Sequence, residues 1–230
     1  MSDTNGHLAF TKAVQREQEK RGSRAAYARM DEKGAWRQEV TDDLAAFIAE
    51  RDSFYLATSN ADGLPYIQHR GGAPGFLKVL DKSILAFADF AGNKQYITLG
   101  NLAENDRAFI FLMDYANRRR IKLWGRAEVI ENAPDLIAKL VDADYLAANK
   151  AEPERAIIFH LDQWDANCPQ HITPRYTNDR MSPVVEELNN KIETLEVLIL
   201  DLQTKLAHAR ANAGTAGEPG ADRGPQQEDS

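Results

Sequence analysis

One cysteine, Cys168, stands in 230 residues, so the chain can form neither an internal disulfide nor a multi-cysteine zinc site. That sparing use fits a reducing compartment, and the chain is expected in the cytoplasm. Long apolar runs are missing as well: no window of about 18 uncharged apolar residues appears, which excludes a membrane-spanning helix. The start MSDTNGHLAF lacks the basic, apolar, small-residue order of a signal peptide. Positive charge is in deficit, and a formal net charge of −7 argues against nucleic-acid or membrane binding by the surface as a whole. Several catalytic signatures are absent too: no GxGxxG after a strand, no GxxxxGKS/T, no HExxH and no GxSxG. The five histidines are scattered, and Cys168 with His171 offers two metal ligands without a third, so no metal site is expected.

What is present is an ordinary globular composition, 43% hydrophobic and 27% charged, with room for one domain plus extensions. The texture divides the chain into a helical extension over 1–50, a β-rich domain over 51–180, a heptad helix over 181–210 and a disordered tail over 211–230. In the extension, Leu8 to Met30 reads as helix broken near Gly22. A second helix begins at Thr41, whose hydroxyl can cap it, and carries Leu44, Phe47 and Ile48 on one face. The tail from Ala213 has almost nothing to bury.

Beyond Asp52 short β-branched and aromatic runs alternate with turn residues, the pattern of an antiparallel sheet or barrel. Ser53 to Ser59 and Pro65 to His69 flank the hairpin turn Asn60-Ala61-Asp62-Gly63. Further strands are expected at Phe76 to Leu80, Ser83 to Ala88, Ala108 to Met113, Arg119 to Ile130 and Ala156 to Leu161. Helices are expected at Lys94 to Glu104 and Ala133 to Ala148. Ala108 to Met113 is apolar on both faces and should be covered on each side. Arg119 to Ile130 instead alternates, with Ile121, Leu123, Gly125, Ala127 and Val129 on its apolar face.

Val185, Leu188, Ile192, Leu195, Ile199, Leu202, Leu206 and Ala209 recur at alternating intervals of three and four. Such a seam fits a short coiled coil or a single amphipathic helix packed on the domain.

Basic and amide residues at strand ends and loops of the β-rich middle suit an anion. Arg70 ends a strand, Lys94 opens a helix after Ala91-Gly92-Asn93, and Arg118-Arg119-Arg120 begins the alternating strand. Lys94, the N–H groups of that helix start and one reaching arginine could hold a phosphate.

The segments HRGGAPGFLKVLD, FADFAGNK, NLAENDRAFIFL and WGRAEVI, with WDANCPQHITPR from Trp164 to Arg175, carry a resemblance to a known family. Over Ser53 to Arg175 the chain resembles the pyridoxamine 5′-phosphate oxidase-related, FMN-binding split-barrel family. The resemblance implies a mainly β fold with flanking helices, a split β-barrel, as a homodimer with FMN at the subunit interface. It implies cofactor contacts from Gln68, His69 and Arg70 after the first hairpin, and from Lys78 and Asp89 in the next pair of strands. Asn93, Lys94 and Gln95 match the family's basic phosphate-binding loop, and Arg120 stands where a polar residue reaches FMN from the other subunit. Gln170 and Arg175 match the C-terminal part of the site. The Arg/Trp-rich segment that grips substrate phosphate in the oxidases proper is replaced here by CPQHITPRYT, so vitamin B6 oxidation does not carry over.

The resemblance therefore implies hydride transfer between a small substrate and FMN, with NAD(P)H one candidate reductant and the cofactor carrying the reaction. No side chain is singled out as an essential acid or base. The alternatives are a non-catalytic flavin-binding or redox-sensing module, or a haem- or deazaflavin-binding split-barrel protein.

Overall fold

The computed structural model describes residues 6–34, 36–167 and 169–215. Cys168, and residues 216–230 of the expected tail, lie outside the described residues. Two compact units result, Met1–Arg175 and Tyr176–Ser230.

Seven antiparallel strands organise the first unit: β1 (Ser53–Ser59), β2 (Pro65–Gly71), β3 (Lys78–Asp81), β4 (Ile84–Phe90), β5 (Arg107–Asp114), β6 (Arg119–Ile130) and β7 (Pro153–Asn167). Their order is β2-β1-β5-β6-β7-β4-β3. This is the expected mainly β split-barrel architecture with flanking helices. The first hairpin keeps its register from Ser59 opposite Pro65 to Ser53 opposite Gly71. Its turn is closed where Gly63 takes a φ of 81° and Leu64 N–H donates to Asn60 Oδ1 at 2.8 Å.

Period-two alternation sorts the side chains between two faces. Phe54 and Leu56 of β1, Ile110 and Leu112 of β5, and Ile121 and Leu123 of β6 all point into one core. Phe54 stacks on Phe76 with ring centres 5.2 Å apart and meets Phe87 edge-on at 5.1 Å. Each such side chain, once covered, contributes about 1.5–3 kcal/mol. One glycine is required by packing: a Cβ on Gly125 would meet the His160 carbonyl oxygen at 2.1 Å, at the irregularity between β6 and β7.

The helix α3 (Asp42–Ala49) buries Leu44, Phe47 and Ile48 against this core and starts at Thr41, whose Oγ1 accepts from Leu44 N–H at 3.3 Å. Ahead of it α1 (Lys12–Lys20) and α2 (Arg24–Glu32) are separated at Gly22, φ 76°, where the break was expected. Residues 6–10 are anchored to the sheet by buried Gln163, which accepts from Leu8 N–H at 2.9 Å and donates to Gly6 O at 3.3 Å. Between those two anchors His7 lies almost fully covered. Phe10 stacks on it at 4.5 Å, Trp36 and Trp124 meet it edge-on at 4.4 and 4.8 Å, and its Nδ1 accepts from Ala9 N–H at 3.0 Å. Burial pulls the imidazole below its ordinary pKa, with Asp165 and Asp31 raising it and Lys122 adding to the fall. Asp31 itself would be raised by burial, but donors from Arg24, Trp36 and the His7 backbone more than offset that and hold it below the usual carboxylate range.

The helix expected from Lys94 is shorter: α4 spans Ile97–Glu104, because Lys94 (φ 57°) and Tyr96 (φ 53°) both take left-handed conformations no helix can include. The segment Ala133 to Ala148 is two helices, α5 (Pro134–Leu140) and α6 (Ala143–Asn149), split at extended Val141, with Asp142 capping the second through Tyr145 N–H at 2.8 Å. The second unit contains one long helix, α7 (Asn178–Thr215), with Pro183 near its start.

Candidate functional site

A polar pocket opens where β2, the end of β4, the start of α4 and the start of β7 meet. Alternation along β2 turns Tyr66, Gln68 and Arg70 to this side and exposes Ile67 and His69 on the other. Asp89, near the end of β4, lies directly opposite Arg155 in the β4–β7 register. The loop 92–96 and the first residues of α4 close the mouth.

Asp89 is the organising group. It is 5% exposed and its carboxylate takes Arg70 Nη1 on one oxygen and Arg155 Nη1, at 3.1 Å, on the other. Arg155 also reaches Glu131 at 2.8 Å and Glu154 at 2.7 Å, and its guanidinium lies 5.6 Å from the Tyr96 ring centre. Burial alone would weaken its hold on the proton, but the hydrogen bonds it donates to Asp89, Glu131 and Glu154 dominate and push it above the ordinary arginine value. The two arginines are therefore fixed in place before any ligand arrives.

Three features of the pocket remain open to an anion. Arg70 Nε is buried with no hydrogen-bond partner, an orphaned donor in a lining residue. Lys94 is exposed and enters no ion pair among the described residues. The start of α4, where Tyr96 supplies no side-chain cap, lines the pocket with Ile97, Thr98 and Leu99, whose N–H groups lack intrahelical partners. Beside them Thr98 Oγ1 donates to Gln68 Oε1 at 2.9 Å, which fixes that amide at the pocket wall. An unpaired ammonium, an orphaned guanidinium donor and free N–H groups are what a phosphate monoester requires, so the residues fit the phosphate end of FMN.

Of the sequence-derived candidates, Gln68, Arg70, Asp89, Asn93, Lys94 and Gln95 line this one pocket. His69, Lys78, Arg120, Gln170 and Arg175 do not. His69 is exposed on the far face of β2, 5.7 Å from the Tyr55 ring. Lys78 begins β3 opposite Ala86. Gln170 is exposed in a turn. Arg175 stacks on Tyr115 at 4.8 Å. Burial and a hydrogen bond with Tyr55 push the Tyr115 phenol above its ordinary value, while Arg175 pulls the other way. Arg120, on the outer face of β6, has a buried Nε without a partner. His69, Tyr55, Tyr115 and Arg175 thus run as a second polar chain on the outer face of the sheet.

Sequence reasoning missed Arg155, Glu154, Thr98 and Tyr96. The available signal was the charged pair Glu154-Arg155 opening the otherwise apolar run Ala156-Ile157-Ile158-Phe159.

The family model for pyridoxamine 5′-phosphate oxidase matches residues 40–168, more than half of the chain. No curated protein matches it. Among solved structures, HupZ of Group A Streptococcus is similar at 18% identity and a TM-score of 0.44, over 60% of this chain and 99% of that one. A protein of Clostridium acetobutylicum related to general stress protein 26 of B. subtilis has 13% identity and a TM-score of 0.43, over 58% and 91% of the two chains. An FMN-binding protein of Syntrophomonas wolfei subsp. wolfei has 11% identity and a TM-score of 0.41, over 65% and 97%. On the family match, which spans every strand of the sheet, this chain belongs to the pyridoxamine 5′-phosphate oxidase family.

Proposed function

We propose that the protein binds FMN, with the phosphate in the Lys94 pocket and the flavin between two copies of the chain, and acts in the cytoplasm as an oxidoreductase on a small substrate. The observation that carries this reading is the orphaned Nε of Arg70 beside unpaired Lys94 and the uncapped start of α4. Lys94 supplies mobile charge, Arg70 a fixed donor, and α4 its N–H groups and the positive end of its dipole. Asp89 holds Arg70 and Arg155 at fixed angles, and Gln68, pinned by Thr98, offers its amide N–H groups along the cofactor. When bound, FMN supplies the hydride-accepting and hydride-donating ring, and NAD(P)H is a suitable reductant.

Pairing of two copies is supported by the outer face of β5, where Phe109, Phe111 and Met113 remain half-buried although apolar. Arg120, with its unpartnered Nε, lies on the same side of the sheet. A second copy seated there would cover the aromatics and bring Arg120 toward the other subunit's flavin.

The test is a titration with FMN followed in the visible. Purified protein is expected to take up FMN and show the two-banded spectrum of an oxidised flavin. Lys94→Glu, and separately Lys94→Ala with Arg70→Ala, should each weaken binding by about 100-fold, the worth of one or two charge-assisted hydrogen bonds. A protein that refuses FMN, that carries a haem Soret band, or whose affinity is unchanged in both variants would overturn the assignment.

A further inference from the structure

We propose that α7 pairs in parallel and in register with α7 of a second copy of this chain, as a two-stranded coiled coil. The second unit has one helix among its described residues and so holds no element of its own to cover the seam. The seven large seam residues from Val185 to Leu206 are each 48–55% exposed. A helix gains most of its stability from packing an apolar stripe, and at 38 residues α7 is far longer than an unpacked surface helix.

The identity of the occupant follows from which residues sit where. Intervals of three then four, starting at Val185, put Val185, Ile192, Ile199 and Leu206 at the first core position of successive heptads. Leu188, Leu195, Leu202 and Ala209 take the second core position. Three of the first set are β-branched and three of the second are leucine, the combination that packs best in a parallel pair, because the two positions present differently angled side chains to the facing helix. Covered in this way, the seam from Val185 to Ala209 is roughly 36 Å long at about 1.5 Å per residue.

Charge beside the seam fixes direction. In a parallel pair, Lys191 of one copy lies against Glu196 of the other, twice by symmetry. An antiparallel pair with the same core layers would set Lys191 against Lys205 and Glu196 against its own counterpart, a like-charge contact at each place. The parallel arrangement has one unfavourable kind of approach, Lys205 toward Arg210, also twice by symmetry, and Lys205 is already held by Asp201 of its own helix at 2.7 Å.

Disulfide trapping in the full chain tests this, with Cys168→Ser removing the native thiol. At the second core position the two copies of residue 195 face each other within disulfide reach, so Leu195→Cys should convert almost completely to a covalent dimer under mild oxidation. Glu193→Cys, on the outer side of the helix, should stay monomeric on the same denaturing gel. An uncoupled Leu195→Cys would overturn the proposal, as an antiparallel pair or a helix packed on its own chain requires. Equal coupling of both variants would overturn it too, since that is random collision. The readout needs no flavin, so it can fail while FMN binding stands, and the reverse.

Discussion

Leu123 of β6 and Leu195 of α7 are the same residue type in opposite circumstances: one is fully buried and the other is 48% exposed. The first unit completes its own core, because strands related by antiparallel register bring apolar faces from distant parts of the sequence onto each other. The second unit carries eight leucines and isoleucines on one helix without closing a core among its described residues. Apolar residues stabilise only in proportion to the water they lose, so the two units hold different stores of stability: one realised on folding, the other awaiting a partner.

The comparison is broken most severely at Gly125. Gly125→Ala drives a Cβ into the His160 backbone and the Phe159 ring, neither of which can yield cheaply. A loss on the order of 4 kcal/mol or more is expected in urea unfolding of the first unit. A variant as stable as the parent would mean that β6 and β7 approach less closely than described.

A paired truncation sharpens the contrast. Leu123→Ala should cost the first unit about 2–5 kcal/mol through lost burial and a residual cavity. Leu195→Ala should shift that same unfolding by less than about 0.5 kcal/mol, the usual range for an exposed position. Similar costs for the two would show that α7 contributes to the barrel's own core.

The smallest effect is a pH response confined to the first unit. His7 has its pKa lowered on burial, so the undocked arm binds protons more readily than the docked one. Docking is at full strength above the free-histidine value of 6.5 and weakens as the pH falls through and below it. Tryptophan fluorescence, reporting Trp36 and Trp124 against the His7 ring, should change over that interval, and His7→Phe should abolish the change. The same step in His7→Phe would assign it to another group.

Strands dominated by local alternation were legible in the sequence. β6 spans Arg119–Ile130 as read, since every second residue there faces a continuous core, and the hairpin at Asn60 to Gly63 follows from turn chemistry alone. β7 runs well past the expected Leu161, to Asn167, because a register shift opposite Trp124 and Gly125 interrupts the simple alternation and only pairing with β6 carries Trp164 back into the core. The same limit governs the site. Lys94, Asn93 and Gln95 are adjacent in sequence and could be read together, whereas Arg155 joins them only through its place opposite Asp89. His7 gave no signal at all: its cage is assembled from Phe10, Trp36 and Trp124, three separate segments.

The double grip of Asp89 on Arg70 and Arg155 bears on how the pocket fares with no anion in it. A pocket of bare cations repels itself when empty and tends to loosen, which ties cofactor loss to unfolding. Here the internal counter-ion keeps the vacant socket balanced and rigid. On the proposed function, the FMN-free protein should thus persist as a folded species that loads without rebuilding, and the fraction loaded would follow the supply of FMN around it.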